Sequence, residues 1–211
     1  MSNVRPFDLR VKGLKYHVKD GVSIRTILDI EHLEIASGEV LGIRGTSGSG
    51  KSTFLKLISG IVTPQLGTVS WGNELLSHCS EVRRDDWRGR NCGFLFQDFR
   101  LFAFPLGQNV AAGARYDRAK AEACLREAGF GERLAQMPQG TDTILYHDFD
   151  KNGIEISGGE AQKIALARAL YKDAPFMILD EPTAALDPLS EYEVYRKFND
   201  LSGGKTAVYI S

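Results

Sequence analysis

Gly45-Thr46-Ser47-Gly48-Ser49-Gly50-Lys51-Ser52 follows the pattern of glycine, four residues, then Gly-Lys-Ser/Thr, the pattern of a loop that wraps nucleotide phosphates. Its flanks agree with that reading. Val40-Leu41-Gly42-Ile43 before it reads as a short buried strand, and Thr53-Phe54-Leu55-Lys56-Leu57-Ile58 after it reads as the first turns of a helix, the strand–loop–helix context the pattern requires. Glycines let the backbone turn its N–H groups inward as a nest for oxyanions. The helix adds unpaired N–H groups and the positive end of its dipole. Lys51 is a point charge able to reach β and γ phosphates, and the Ser52 hydroxyl can ligate Mg2+.

The bulk numbers fit a soluble globular chain. It has 211 residues, 43% of them hydrophobic and 25% charged, with a formal net charge of −1. Such a charge gives no global basic field, so nucleic acid is not an expected partner. No apolar run approaches the roughly 20 residues that cross a bilayer, and the first residues lack an apolar signal core. Any membrane role is therefore expected to come through a partner or a segment outside this sequence. Cys79, Cys92 and Cys124 are far apart and odd in number, and His17, His32, His78 and His147 are scattered. Reduced thiols and no cage of protein metal ligands are expected.

Around the loop, alternating apolar runs at Phe7–Val11, Ile24–Leu28 and Ile30–Ile35 predict antiparallel strands. Tyr16 lies in the polar stretch between them and can stack on an adenine ring; the alternative is a partly exposed tyrosine on an edge strand. Thr68–Trp71 reads as a strand, and the polar residues 77–91 as a solvated surface segment. Cys92–Gln97 reads as a buried strand with Gln97 at its C-terminal end, the edge where open parallel sheets bind ligands. There Gln97 can ligate Mg2+ through its amide oxygen and hold an attacking water. Helical spacing predicts helices over Asp117–Gly129 and Glu132–Met137. The apolar Phe99, Leu101, Phe102, Phe104 and Pro105 are either internal packing or a docking surface for another protein.

Ile156-Ser157-Gly158-Gly159-Glu160 opens a helix that runs to about Tyr171. Ser157 is its N-cap candidate, and the two glycines leave the helix start bare, a second place able to bind an anion. Phe176-Met177-Ile178-Leu179 has the wholly apolar texture of a central parallel strand and ends in Asp180-Glu181. Adjacent strand residues point opposite ways, so Asp180 can hold Mg2+ beside Ser52 while Glu181 polarises a water. A charged helix from Ser190 to about Leu201 and a strand over Thr206–Ile210 complete the chain.

Taken together, the ordered motifs resemble the nucleotide-binding domain of ATP-binding cassette (ABC) proteins over essentially the whole chain. The matching stretches are the phosphate loop 45–52 (Walker A), Gln97 (Q-loop), the signature Ile156–Glu160, the Walker B run 176–180 with Glu181, and the D-loop Ala185-Leu186-Asp187. The stretch from Met137 through Ile156 resembles the exporter branch, in which a loop here near His147–Gly153 would contact the membrane domain. The resemblance implies an α/β P-loop NTPase fold of RecA type. Its mostly parallel sheet core would carry an N-terminal antiparallel β part and an inserted α-helical subdomain. The nucleotide-binding core is expected at 1–98 and 158–211, and the helical subdomain at 99–157 with the signature at its end.

The same resemblance implies ATP and Mg2+ as cofactors. ATP would be bound by Gly45, Thr46, Ser47, Gly48, Ser49, Gly50, Lys51, Ser52 and Thr53, with Tyr16 on the base. Ser157, Gly158, Gly159 and Glu160 would face the γ-phosphate bound by a second copy, paired head to tail. Mg2+ would be held by Ser52, Gln97 and Asp180, and hydrolysis carried by Glu181, Lys51 and Gln97. The implied role is an ATPase that powers a membrane transporter from the cytoplasmic face, peripheral through a permease partner. The alternatives are a nucleotide-binding switch with weak or no hydrolysis, or a soluble non-transport ABC ATPase. Three departures stand out: Ile156 for the usual Leu, Glu160 for the commoner Gln, and a chain that ends at Ser211 before the family's switch histidine. The last implies a C-terminally truncated domain.

Overall fold

A hairpin of two long strands opens the fold. The computed structural model describes residues 8–21, 23–95, 99–180 and 204–210. β1 (Leu9–Asp20) pairs antiparallel with β2 (Ser23–Ile35), Leu9 opposite Ile35 and Asp20 opposite Ser23. The two apolar runs expected as separate strands within 24–35 are thus one strand, and the polar stretch holding Tyr16 lies within β1. Polar residues alternate with core residues here because one face of the sheet is solvated. β3 (Val40–Ile43) leads into the glycine-rich loop, and α1 (Lys51–Ile58) leaves it. β4 (Leu66–Trp71) then pairs antiparallel with β1, giving a three-stranded sheet in the order β2-β1-β4.

The segment expected as a merely solvated surface stretch contains a helix, α2 (Glu81–Asn91). Ser80 caps it by accepting the Arg83 amide, Glu81 lies in its first turn, and Asp86 pairs with Arg90 one turn on at 2.8 Å. Trp87 is its single buried side chain. One apolar anchor gives little periodicity, so the helix was visible only in its cap and its charge spacing. β5 (Cys92–Leu95) follows, then α3 (Leu106–Ala111), α4 (Arg118–Glu127), α5 (Gly131–Gln136) and α6 (Gly158–Tyr171). β6 (Phe176–Asp180) and β7 (Thr206–Ile210) come last. The second sheet has the order β3-β7-β6-β5, with β3 and β6 both parallel to β7. The expected helix over 190–201 lies outside the described residues.

Two compact units emerge. Among the described residues, the first comprises those within 8–94, 174–180 and 204–210, the second those within 95–173. In the first unit, Phe54, Leu55, Leu57 and Ile58 of α1 join Leu9, Val11, Val69 and Trp71 of the antiparallel sheet and Phe176, Ile178, Val208 and Ile210 of the parallel one in a single core. An isolated eight-residue helix is marginal in water. Here its four buried side chains, each worth roughly 1.5–3 kcal/mol on burial, hold it in place. Gly60, at φ 69°, closes it: its amide bonds Leu57 O at 3.0 Å while Ile61 N bonds Lys56 O at 2.9 Å, the paired bonds of a Schellman end. Trp71 Nε1 donates to Ile58 O at 2.7 Å and its ring lies 3.8 Å from that of Phe176. β3 is half-buried rather than buried.

In the second unit α6 packs on α4 and α3, and α5 on α4. The sequence reading starts the returning core at 158; by packing, α6 goes with the second unit. α4 begins where Asp117 Oδ1 accepts the Lys120 amide and ends at Gly129, φ 79°, where Phe130 N bonds Leu125 O at 2.8 Å. The apolar cluster near 99–105 divides. Phe102 and Phe104 stay about half exposed, with rings 6.1 Å apart. The segment carrying them is held from beneath by Asn109, whose side chain bonds both the amide and the carbonyl of Phe102 at 2.9 Å. Arg168 of α6 reaches the same segment through Asn109 O at 2.8 Å and Arg100 O at 3.1 Å.

Candidate functional site

The glycine-rich loop turns through two left-handed residues, Gly48 at φ 77° and Gly50 at φ 94°. Gly50 is the N-cap of α1, and no side chain caps the helix. The first-turn amides of α1 therefore have neither an intrahelical acceptor nor a capping oxygen. Residues 45–49 are exposed. Gly50 has a second constraint: an added Cβ would come 3.0 Å from both Cγ2 and the carbonyl oxygen of Ile27 and 3.2 Å from Leu28 Cδ2. The loop is thus seated against β2.

Lys51 curls back over this loop, donating to Gly45 O at 2.6 Å and Thr46 O at 3.2 Å. Two carbonyls solvate an ammonium without cancelling its charge, so a positive group stands over the bare helix start. Ser52 Oγ donates to Asp180 Oδ1 at 3.3 Å. The residues are 128 positions apart, brought together because α1 follows β3 while β6 lies one strand beyond β7 in the same sheet. Asp180 is 9% exposed at the C-terminal end of a strand buried throughout. A hydroxyl and a carboxylate oxygen side by side are hard donors of the kind Mg2+ takes, so the donor set fits that ion.

Tyr16 sits on the middle strand of its sheet, not on an edge, half-buried against the core and opposite Leu28. Because Leu28 abuts Gly50, the tyrosine lies one strand away from the loop. Sequence reasoning missed the part played by Ile27 and Leu28; nothing local marks them, since their relation to Gly50 is made only by the fold. Gln97, Glu181 and the D-loop residues 185–187 lie outside the described residues.

The signature helix differs from what its glycines imply. Its start is not bare: Ser157 Oγ accepts the Glu160 amide at 3.3 Å and Glu160 Oε2 accepts the Ser157 amide at 2.9 Å, a reciprocal capping box. The signal was present as Ser-x-x-Glu. Glu160 also meets Arg133 of α5 at 2.8 Å. Burial alone would push its carboxyl up, but the Ser157 amide and hydroxyl and the Arg133 guanidinium outweigh it and hold it below the usual range. Gly158 and Gly159 occupy the first two helical positions, where amides lack intrahelical partners.

Comparison with known proteins follows the same lines. The family model for the ABC transporter matches residues 28–184. The ATP-dependent lipid A-core flippase of Burkholderia thailandensis is 38% identical over 187 residues, covering 89% of this chain and 30% of the flippase. Among solved structures, a bacterial Atm1-family ABC exporter with ATP bound is similar with a TM-score of 0.81 and 29% identity, over 100% of this chain and 35% of the exporter. A dimeric ATP-binding cassette in a post-hydrolysis state, bound to ADP and Pi, is similar with a TM-score of 0.76 and 28% identity, over 96% of this chain and 87% of that one. The chain thus spans about a third of the flippase and the exporter but nearly the whole of the isolated cassette. No helix among the described residues is long and apolar enough to cross a membrane.

Proposed function

This chain belongs to the ABC transporter family, with the P-loop NTPase fold of its ATP-binding cassettes, and we propose that it binds and hydrolyses ATP to power a membrane transporter. The observation that carries the reading is the uncapped start of α1 with Lys51 above it and the Ser52–Asp180 pair beside it. Backbone amides of 45–52 and the positive end of α1 receive the triphosphate. Lys51 leaves the Gly45 and Thr46 carbonyls for the β and γ phosphates, where it stabilises charge developing on the transferred group. Ser52 and Asp180, with Gln97, would hold Mg2+, which would supply charge neutralisation for the phosphate oxygens. Glu181, next to Asp180 in sequence, orients and deprotonates the attacking water together with Gln97. Thr53 continues the cradle into α1, and Tyr16 takes the adenine face.

A second copy completes the reading. Ser157, Gly158, Gly159 and Glu160 of one chain face the γ-phosphate held by the other, so ATP joins a head-to-tail pair and hydrolysis releases it. The similar cassette whose structure is a dimer with ADP and Pi supports this pairing. A permease domain is the remaining partner, supported by the flippase and exporter relatives, and the reading puts the chain at the cytoplasmic face of the membrane through that partner. The test is Glu181→Gln in the intact protein. ATP binding is retained, a closed pair accumulates, and turnover falls by about 10²–10³. Hydrolysis at the parent rate would contradict the role given to Glu181.

A further inference from the structure

Arg133 and Glu160 join two helices of the second unit at the start of α6. Arg133 Nε lies 2.8 Å from Glu160 Oε1, yet its N–H is not aimed as a hydrogen bond, so the contact works through charge. The other carboxylate oxygen is turned back onto the Ser157 amide. Arg133 is held in place by its own short helix, which Phe130 and Leu134 anchor with side chains 1% and 7% exposed. On the reading above, this same helix start receives a terminal phosphate carried by a second copy. A carboxylate in the first turn favours the helix itself, but it faces the incoming anion with a like charge.

We infer that Arg133 is a positioning residue for nucleotide-driven pairing. It neutralises Glu160 and keeps that carboxylate folded onto the Ser157 amide, leaving the Gly158 and Gly159 amides to accept the phosphate. Arg133 touches no nucleotide. Its side chain is 38% exposed and the pair is partly screened by solvent, so the effect is moderate.

The experiment is steady-state ATPase and ATP-dependent pairing of the intact protein, set beside ADP binding, which reads the phosphate loop alone. Arg133→Gln raises the ATP concentration for half-maximal pairing and turnover by about three- to tenfold. It leaves ADP affinity unchanged, and the defect shrinks as salt rises. Arg133→Lys, which keeps the charge, stays near the parent. Adding Glu160→Gln to Arg133→Gln restores pairing, which a merely structural role for the arginine would not allow. Parent-like pairing in Arg133→Gln, or a double variant as impaired as the single one, overturns the inference. A parent that never pairs with ATP overturns both the inference and the function beneath it.

Discussion

Two helix starts in this chain solve opposite problems. α6 begins with every local preference met: Ser157 caps it, Glu160 returns the bond, and the first turn carries a negative charge that suits the dipole. α1 begins with those preferences refused. Its N-cap is a left-handed glycine without a side chain, and its first turn carries Lys51 against the positive end of the helix. A glycine in place of a capping side chain costs only a few tenths of a kcal/mol, and a misplaced first-turn cation about 0.3–1 kcal/mol. Core burial of Phe54, Leu55, Leu57 and Ile58 offsets this. On the proposed function, the contrast marks where the chain trades local stability for an anion site. α1 starts with no side-chain cap, whereas α6 is capped and presents only its two glycine amides.

The largest effect should come from Lys51→Ala. ATP affinity is expected to fall about 100-fold, the scale of losing charge-assisted contacts worth roughly 3 kcal/mol. The ligand-free protein should be no less stable, because the helix loses an unfavourable charge. Calorimetric titration and thermal melts check both halves; a destabilised apo protein would break the contrast.

Glycine replacements sharpen it at the next level. Gly50→Ala should cost about 1–3 kcal/mol in denaturant unfolding, since φ is 94° and the new methyl meets the Ile27 backbone. Gly158→Ala meets nothing within 4 Å. It should be neutral or stabilising by up to about 1 kcal/mol.

The smallest effect is the pH dependence of Glu160. Its folded pKa is depressed, so its contribution is present above the unfolded carboxylate value of about 4.3 and is lost as pH falls through the lower folded value. Parent minus Glu160→Gln stability should be constant near neutrality and shrink in acid. A difference that grew in acid would reverse the sign of the argument.

What was legible in sequence follows the reach of each interaction. The strand–loop–helix around 45–52 could be read because its glycines and flanking apolar runs are consecutive, and β6 because a wholly apolar run marks a buried parallel strand. The end of α4 at Gly129 was readable for the same local reason. The hairpin was divided wrongly, since a half-solvated strand interrupts its apolar pattern. α2 was missed because one Trp87 makes no stripe. The seat of Gly50 against Ile27, and Tyr16 one strand further, depend on pairings no window of sequence contains. The Ser157–Glu160 box was legible as Ser-x-x-Glu, but the glycines between drew the reading toward an open anion site.

The most direct test is a structure of the protein with ATP and Mg2+ bound. The triphosphate should lie against the amides of 45–52, with Lys51 Nζ moved from the Gly45 and Thr46 carbonyls to the phosphates. A triphosphate bound elsewhere, or Lys51 still on those two carbonyls, would contradict the assignment of α1 as the nucleotide site.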